Sequence, residues 1–409
     1  MKRRSFVIGA AGAAGAALWL RPRDQGGPYS PYFASLNRAL RESGPGRPVI
    51  VIDRDRLLEN CRKVRARLPR GRAFRVVAKS LASLPLLRAV AEAMGTDRLM
   101  VFHEPHLEAI SQAMPQSDLL LGKPMPVTAA RTFCTKLANT RIQWLIDTPE
   151  RLREYRDLAK GLGRRLRVSL EIDVGLHRGG ARTPGELRPM LELIAAAPGQ
   201  LELSGLMGYD AHVGKIPGIV ESRAKSFEKA CAVYRSMQAA LGNAQKLTFN
   251  GAGSPTLRLH GEDSPLNELA AGSCLVKPTD FDLDTLADLE PAAFIAAPVL
   301  KALDGATIPG IENASRWISR WNPNRQRTWF IYGGLWQARY ESPAGLVDNP
   351  FYGKSSNQAM VNGSREVPLQ VDDYVFLRPA QSERVLETLG DLTVVSGGKL
   401  VDSWPALPA

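Results

Sequence analysis

The chain has 409 residues, 44% hydrophobic and 23% charged, enough to bury a large core, which excludes a chain disordered throughout. Its formal charge is +12, or +9 without Lys2, Arg3 and Arg4. The excess sits in short runs such as residues 70–75 and 164–167, with no nucleic-acid motif, so no nucleic-acid partner is expected.

Residues 1–25 open with Lys2-Arg3-Arg4, then Ser5-Phe6-Val7 and a weakly apolar Gly/Ala run to Leu20. A charged start followed by a short apolar stretch reads as an export segment. The Arg3-Arg4 pair makes it resemble a twin-arginine signal. This implies the twin-arginine export machinery as a partner and a periplasmic location, with a retained membrane anchor as the alternative. Cys61, Cys134, Cys231 and Cys274 lie far apart without C-x-x-C spacing. They read as buried, inert thiols, and two of them joined in an exported protein is the alternative.

Residues 32–41 carry helical spacing, and residues 48–53 form a β-branched run. Eight short apolar strands are then expected at 74–78, 98–102, 118–121, 142–146, 166–174, 201–208, 246–250 and 270–276. Between them, segments such as 81–94, 149–162, 184–197 and 220–241 have helical period. Eight strands alternating with helices predict an α/β chain whose residues 45–285 form a (β/α)8 TIM-type barrel. Beyond residue 285 Pro, Gly and Asn become frequent and short strands reappear. A mainly β C-terminal domain is expected over 286–409, completed by residues 28–54.

Such a barrel places its chemistry at the carboxyl ends of its strands, and the distinctive residues of this chain fall there. Lys79 ends the first strand, Asp173-Val-Gly-Leu-His-Arg178 the fifth, Gly208-Tyr209-Asp-Ala-His212 the sixth, and Asn250-Gly251-Ala-Gly253-Ser254-Pro-Thr256 the seventh. A lysine among apolar strands becomes nucleophilic and forms an imine with an aldehyde. A Gly/Ser turn wraps a phosphate. Arg, Tyr and His side chains position groups or move protons.

The ordered set Lys79, Asp173-Val-Gly-x-x-Arg178-x-Gly, Gly208-Tyr-x-x-His212 and Gly251-x-Gly-Ser-Pro-Thr resembles the fold-type III pyridoxal-phosphate enzymes. Within them it is most similar to the D-threonine aldolase and D-serine dehydratase branch, over about residues 45–385. The resemblance implies pyridoxal 5'-phosphate held as a Schiff base on Lys79, with Arg75 lining the same strand end and Arg178 against the ring side. It further implies Tyr209 and His212 in the pocket, acting with Lys79 in catalysis, and Asn250, Gly251, Gly253 and Ser254 around the phosphate. The substrate would be a small D-amino acid or β-hydroxy amino acid, the reaction that of a lyase or a racemase, and the assembly a homodimer. In a racemase, Tyr332 or Tyr352 would be the second proton carrier.

The sequence departs from that branch where a His-x-Cys pair binds a divalent metal. The matching stretch reads Arg378-Pro-Ala-Gln381-Ser-Glu383, and Gly179 stands where a cysteine commonly follows the arginine. Either the metal is absent or its site is rebuilt on oxygen, for example on Glu383. A protein that keeps the cofactor but has lost turnover is a third reading. Residues 332–358 are expected to close the substrate pocket or to be an ordered surface loop. His103-Glu-Pro-His106 is not expected to bind metal, because Pro105 interrupts the helical register between the two imidazoles.

Overall fold

A computed structural model describes residues 21–137, 141–242, 246–305, 307, 309–310 and 312–408. The export segment falls on residues 1–25, of which 1–20 lie outside the described residues. Among the described residues no helix is long and apolar enough to cross a membrane.

The chain divides into two compact units. One holds the residues up to Val51 together with Phe294–Ala380 and Thr393–Asp402; the other holds Ile52–Ala293, Gln381–Leu392 and the segment from Ser403. The expected 286–409 domain is therefore corrected at three places, the first being residues 286–293, which stay with the barrel. Residues 381–392 and the C-terminal tail group with the barrel, because their side chains and backbone bond there.

In the first unit, α1 (Pro31–Ser43) starts at Ser30, whose hydroxyl accepts from the Phe33 N–H with Pro31 at the first helical position. That pairing suits a helix start. Phe33, Leu36 and Leu40 fall on one face and are buried against Val49, Val51, Phe294 and Phe376. The sheet has nine strands. β1 (Val49–Asp53) lies between β10 (Ala293–Asp304) and β16 (Leu392–Ser396), with β17 (Lys399–Trp404) beyond β16. On the other side β10 pairs antiparallel with β11 (Arg327–Tyr332) and with β15 (Tyr374–Pro379). β14 (Gln358–Gly363) continues from β11 with β13 (Val347–Asp348) beyond it, and β12 (Ala338–Ser342) pairs with β15.

The second unit is a closed barrel of eight parallel strands. They are β2 (Ala73–Val77), β3 (Arg98–Val101), β4 (Asp118–Leu121), β5 (Ile142–Ile146), β6 (Leu166–Ile172), β7 (Leu201–Gly208), β8 (Thr248–Gly251) and β9 (Glu268–Ala271). Pairing of Ala73 with Glu268 and of Val76 with Ala271 closes it. The helices between strands start at punctuated sites. Thr148 and Thr183 accept from the N–H groups of Arg151 and Glu186 at the heads of α6 (Pro149–Leu162) and α7 (Pro184–Ala195). Gly163 ends α6 in the left-handed region at φ +64, where a side chain would be strained.

One expected strand is shorter than its apolar run. Residues 270–276 read as a strand, but β9 ends at Ala271 and Ser273–Val276 is a helical turn. Gly272 allows the turn: a Cβ there would meet the Val77 carbonyl oxygen at 2.6 Å. All four cysteines are free and buried. Burial pushes the Cys61 thiol up to about 12, and those of Cys231 and Cys274 up to about 11, so none is poised as a thiolate.

Candidate active site at the carboxyl rim of the barrel

A cavity of about 510 Å³ opens at the carboxyl ends of the barrel strands, walled among others by Lys79, Arg178, Tyr209, Asn250, Gly253 and Ser254. These six were expected there from sequence, and the barrel brings them together from four different strands.

Lys79 sits on a single helical turn, Ala78–Ser80, directly after β2. The segment beyond it is pinned: Ser83 bridges to Ala406, and the Leu407 N–H donates to the Ala82 carbonyl at 2.8 Å. The Lys79 Nζ lies 4.5 Å from the centre of the Phe102 ring and 3.0 Å from Glu383 Oε1. Arg178 lays its guanidinium over the Tyr209 ring at 5.0 Å. Burial pushes the Tyr209 phenol up, with Arg178 offsetting part of the effect, so the hydroxyl stays protonated.

The turn after β8 forms the opposite wall. Ala252 takes a left-handed conformation, φ +67, and a Cβ at Gly253 would meet Tyr209 Cε2 at 2.6 Å. Ser254 Oγ accepts from the Cys274 N–H at 3.0 Å, and its O–H is a donor. Asn250 donates to Glu268 Oε1 at 2.8 Å. Its Oδ1 is buried with no hydrogen-bond partner, a cost that a bound polar group would remove.

Three expected site residues lie elsewhere. Arg75 is fully buried below the cavity, bonded to Glu268 at 2.5 Å and to Asp118 at 2.7 Å. It faces the amino-terminal half of the barrel because it stands four residues before Lys79 on an extended strand. Gly251 backs onto the Tyr234 hydroxyl and Leu266, where a Cβ would come within 2.6 Å of both. His212 packs under the turn at Gly175, where a Cβ would meet its Nε2 at 2.9 Å. Burial lowers its imidazole below the ordinary value, with Asp210 and Asp173 offsetting part of that. It is not among the residues that line the cavity.

That turn is itself held by Asp173, which accepts from the Gly175 and His177 N–H groups at 2.9 Å each. Burial raises the Asp173 carboxyl, but these backbone donors outweigh it and hold it below the ordinary value. Tyr332 and Tyr352 belong to the sheet unit, where both are exposed.

The sequence reading missed Phe102, Lys215, Gly272, Ser273 and Asp280, which also line the cavity. Gly272 and Ser273 follow a strand end, the same signal that marked Lys79, but the apolar run 270–276 hid where the strand stops. Gln381 and Glu383 line the cavity too, Gln381 donating to Asp280 and Glu383 facing Lys79. Among the described residues no three His, Cys, Asp or Glu side chains converge as a metal site. His103 precedes α4 (Glu104–Ala113), and its ring meets that of His106 edge-on at 5.3 Å. His106 Nε2 stands 3.4 Å from Glu387.

Residues 52–280 match the family described as the alanine racemase N-terminal domain. The chain belongs to that family. An 85-residue stretch is 36% identical to the alanine racemase of Chlorobaculum tepidum, covering 21% of this chain and 22% of that protein. The chain thus spans about a fifth of the length of that curated relative. Solved structures match over far more. The D-threonine aldolase of Filomicrobium marinum superposes with a TM-score of 0.71 at 17% identity, covering 88% of this chain and 94% of that one. The alanine racemase of Bacillus anthracis gives 0.68 at 16%, covering 88% and 97%. The D-threo-3-hydroxyaspartate dehydratase of Delftia sp. HT23 gives 0.67 at 15%, again covering 88% and 97%. At these identities the likeness is one of fold, shared by racemases, an aldolase and a dehydratase. The resemblance read from the motifs holds at the level of family and fold.

Proposed function

We propose that this chain holds pyridoxal phosphate on Lys79 and acts at the α-carbon of a small amino acid. The substrate is a D-amino acid or a β-hydroxy amino acid, and the reaction that of a lyase or a racemase. The observation that carries this reading is a lysine amine inside a glycine-walled cavity at the strand ends of an alanine-racemase-type barrel.

The residues present fit the cofactor. The wall at Gly253 is closed to any Cβ, and the Asn250 Oδ1 lacks a partner. The cavity contains Lys79, Arg178 and Lys215 as cations for an anionic guest. Bound there, pyridoxal phosphate supplies an electron-withdrawing ring that takes up charge from a bond broken at the α-carbon.

The chain does the rest. Lys79 Nζ would hold the cofactor's aldehyde carbon, and as a free amine it would accept or return a proton at the substrate α-carbon. Ser254 would donate its O–H to a phosphate oxygen, and Arg178, over the Tyr209 ring at 5.0 Å, would support the ring side. Tyr209, kept protonated by burial, is a donor. His212 props the Gly175 turn.

The test is a visible absorption spectrum of the purified protein before and after borohydride, with Lys79→Ala alongside. A band that collapses on reduction, a mass increase on the Lys79 peptide, and neither in the mutant support the reading. No band after added pyridoxal phosphate overturns it. Single enantiomers of serine, threonine, alanine and 3-hydroxyaspartate then separate the reactions: racemase gives the mirror amino acid, lyase an aldehyde or keto acid. Cofactor retention without any product favours a binding protein.

Export by the twin-arginine route is proposed from residues 2–7 alone, and pairing into a homodimer from the motif resemblance. Replacing Arg3 and Arg4 by Lys would then stop periplasmic accumulation. Sedimentation would show twice the chain mass.

A further inference from the structure

The Lys79 amine has one carboxylate partner among the described residues, with Glu383 Oε1 at 3.0 Å and Oε2 at 3.1 Å. Glu383 comes from residues 381–392, which return to the barrel unit after the chain has left it. Its orientation is held by two hydroxyls in line. Ser273 Oγ donates to Ser80 Oγ at 2.8 Å, and Ser80 Oγ donates to Glu383 Oε1 at 3.3 Å. The Phe102 ring lies 4.5 Å from the Lys79 Nζ. The Lys79 and Glu383 side chains remain 38% and 32% exposed, so protons exchange with solvent at this pair.

We infer that Glu383 is the acid–base catalyst for bond formation and release at the Lys79 Nζ, a role that rests on the proposed cofactor reading. An ammonium has no lone pair and does not attack a carbonyl. Glu383 takes one proton from it, and the neutral amine attacks the aldehyde carbon while the carbonyl electron pair moves to oxygen. A nitrogen proton passes to that oxygen, and Glu383 returns its own proton as the oxygen leaves as water. A protonated carbon–nitrogen double bond remains, and the carboxylate is restored. Release by water runs the same steps backwards. Geometry assigns the task to Glu383, because the other cavity carboxylate, Asp280, is engaged by Gln381.

The test is the rate at which cofactor-free protein forms its visible band after mixing with pyridoxal phosphate, for wild type, Glu383→Gln and Glu383→Asp. Borohydride trapping confirms the bond to Lys79. Pyridoxine 5'-phosphate, which has no aldehyde, serves as a probe of binding without bond formation. The expected result is a rate about a hundredfold lower in Glu383→Gln, partial recovery in Glu383→Asp, and no weakening of pyridoxine 5'-phosphate binding in either. A Glu383→Gln rate within twofold of wild type overturns the inference. So does a fall in rate matched by an equal fall in pyridoxine 5'-phosphate affinity, because Glu383 would then only shape the cavity. Wild type forming no reducible band at all is a separate result, which removes the cofactor reading itself.

Discussion

His260 Nε2 lies 2.9 Å from Asp210 Oδ2, with both side chains fully buried. The other Asp210 oxygen accepts from Thr256 at 2.5 Å, and His260 Nδ1 meets Ser264 at 2.9 Å. Asp210 follows Tyr209 at the end of β7, and Thr256 closes the turn after β8, so one carboxylate ties two walls of the cavity together. Asp210→Ala leaves Thr256 and His260 without their partner in a dry site. It is expected to cost about 3 kcal/mol of stability and to weaken pyridoxine 5'-phosphate binding. Urea unfolding and a binding titration check the two effects.

Arg75 sits between Glu268 and Asp118 with no exposed surface. Removing one partner of such a cluster strands buried charge, so Arg75→Met is expected to lose about 3–5 kcal/mol. At a temperature where the variant is folded, its absorption band with pyridoxal phosphate should match wild type. A lost band in a folded variant would return Arg75 to the cofactor site.

Gly253 faces Tyr209 Cε2 at a distance no Cβ tolerates. Gly253→Ala must displace the ring, and with it the contact to Arg178. The expected effect is about a tenfold rise in the Kd for pyridoxine 5'-phosphate, equivalent to ~1.4 kcal/mol and within the usual cost of overpacking. Gly179, with open space around it, is the control: Gly179→Ala should leave that Kd unchanged, though its own φ of +138 lowers stability.

His106 is buried beside His103 and Glu387, and burial followed by the His103 charge holds its imidazole below 6.5. The unfolded chain therefore takes up this proton first as pH falls. The stability that His106 contributes is complete above pH 6.5 and is lost as pH drops from there through the lowered folded value. Burial raises the Glu387 carboxyl, an effect of opposite sign nearer pH 4.5. Subtracting a His106→Gln stability profile from that of wild type should isolate a difference that changes between pH 7 and 5. A flat difference would contradict it.

The sequence alone determined the barrel, because each of its strands is a short apolar run set off by helical period, and both patterns are local. It also determined the rim position of Lys79, Arg178, Tyr209, Asn250, Gly253 and Ser254, since a residue just past a strand end has only one end of a parallel barrel to occupy. Where the strand end itself was hidden in an apolar run, at Gly272 and Ser273, the same rule had nothing to act on. Only the tertiary structure decided that Arg75 is buried with Glu268, that His212 packs against the Gly175 turn, and that Glu383 reaches Lys79 from 304 residues away. Those contacts depend on which partners meet inside the barrel and on where a distant segment returns, and packing settles both.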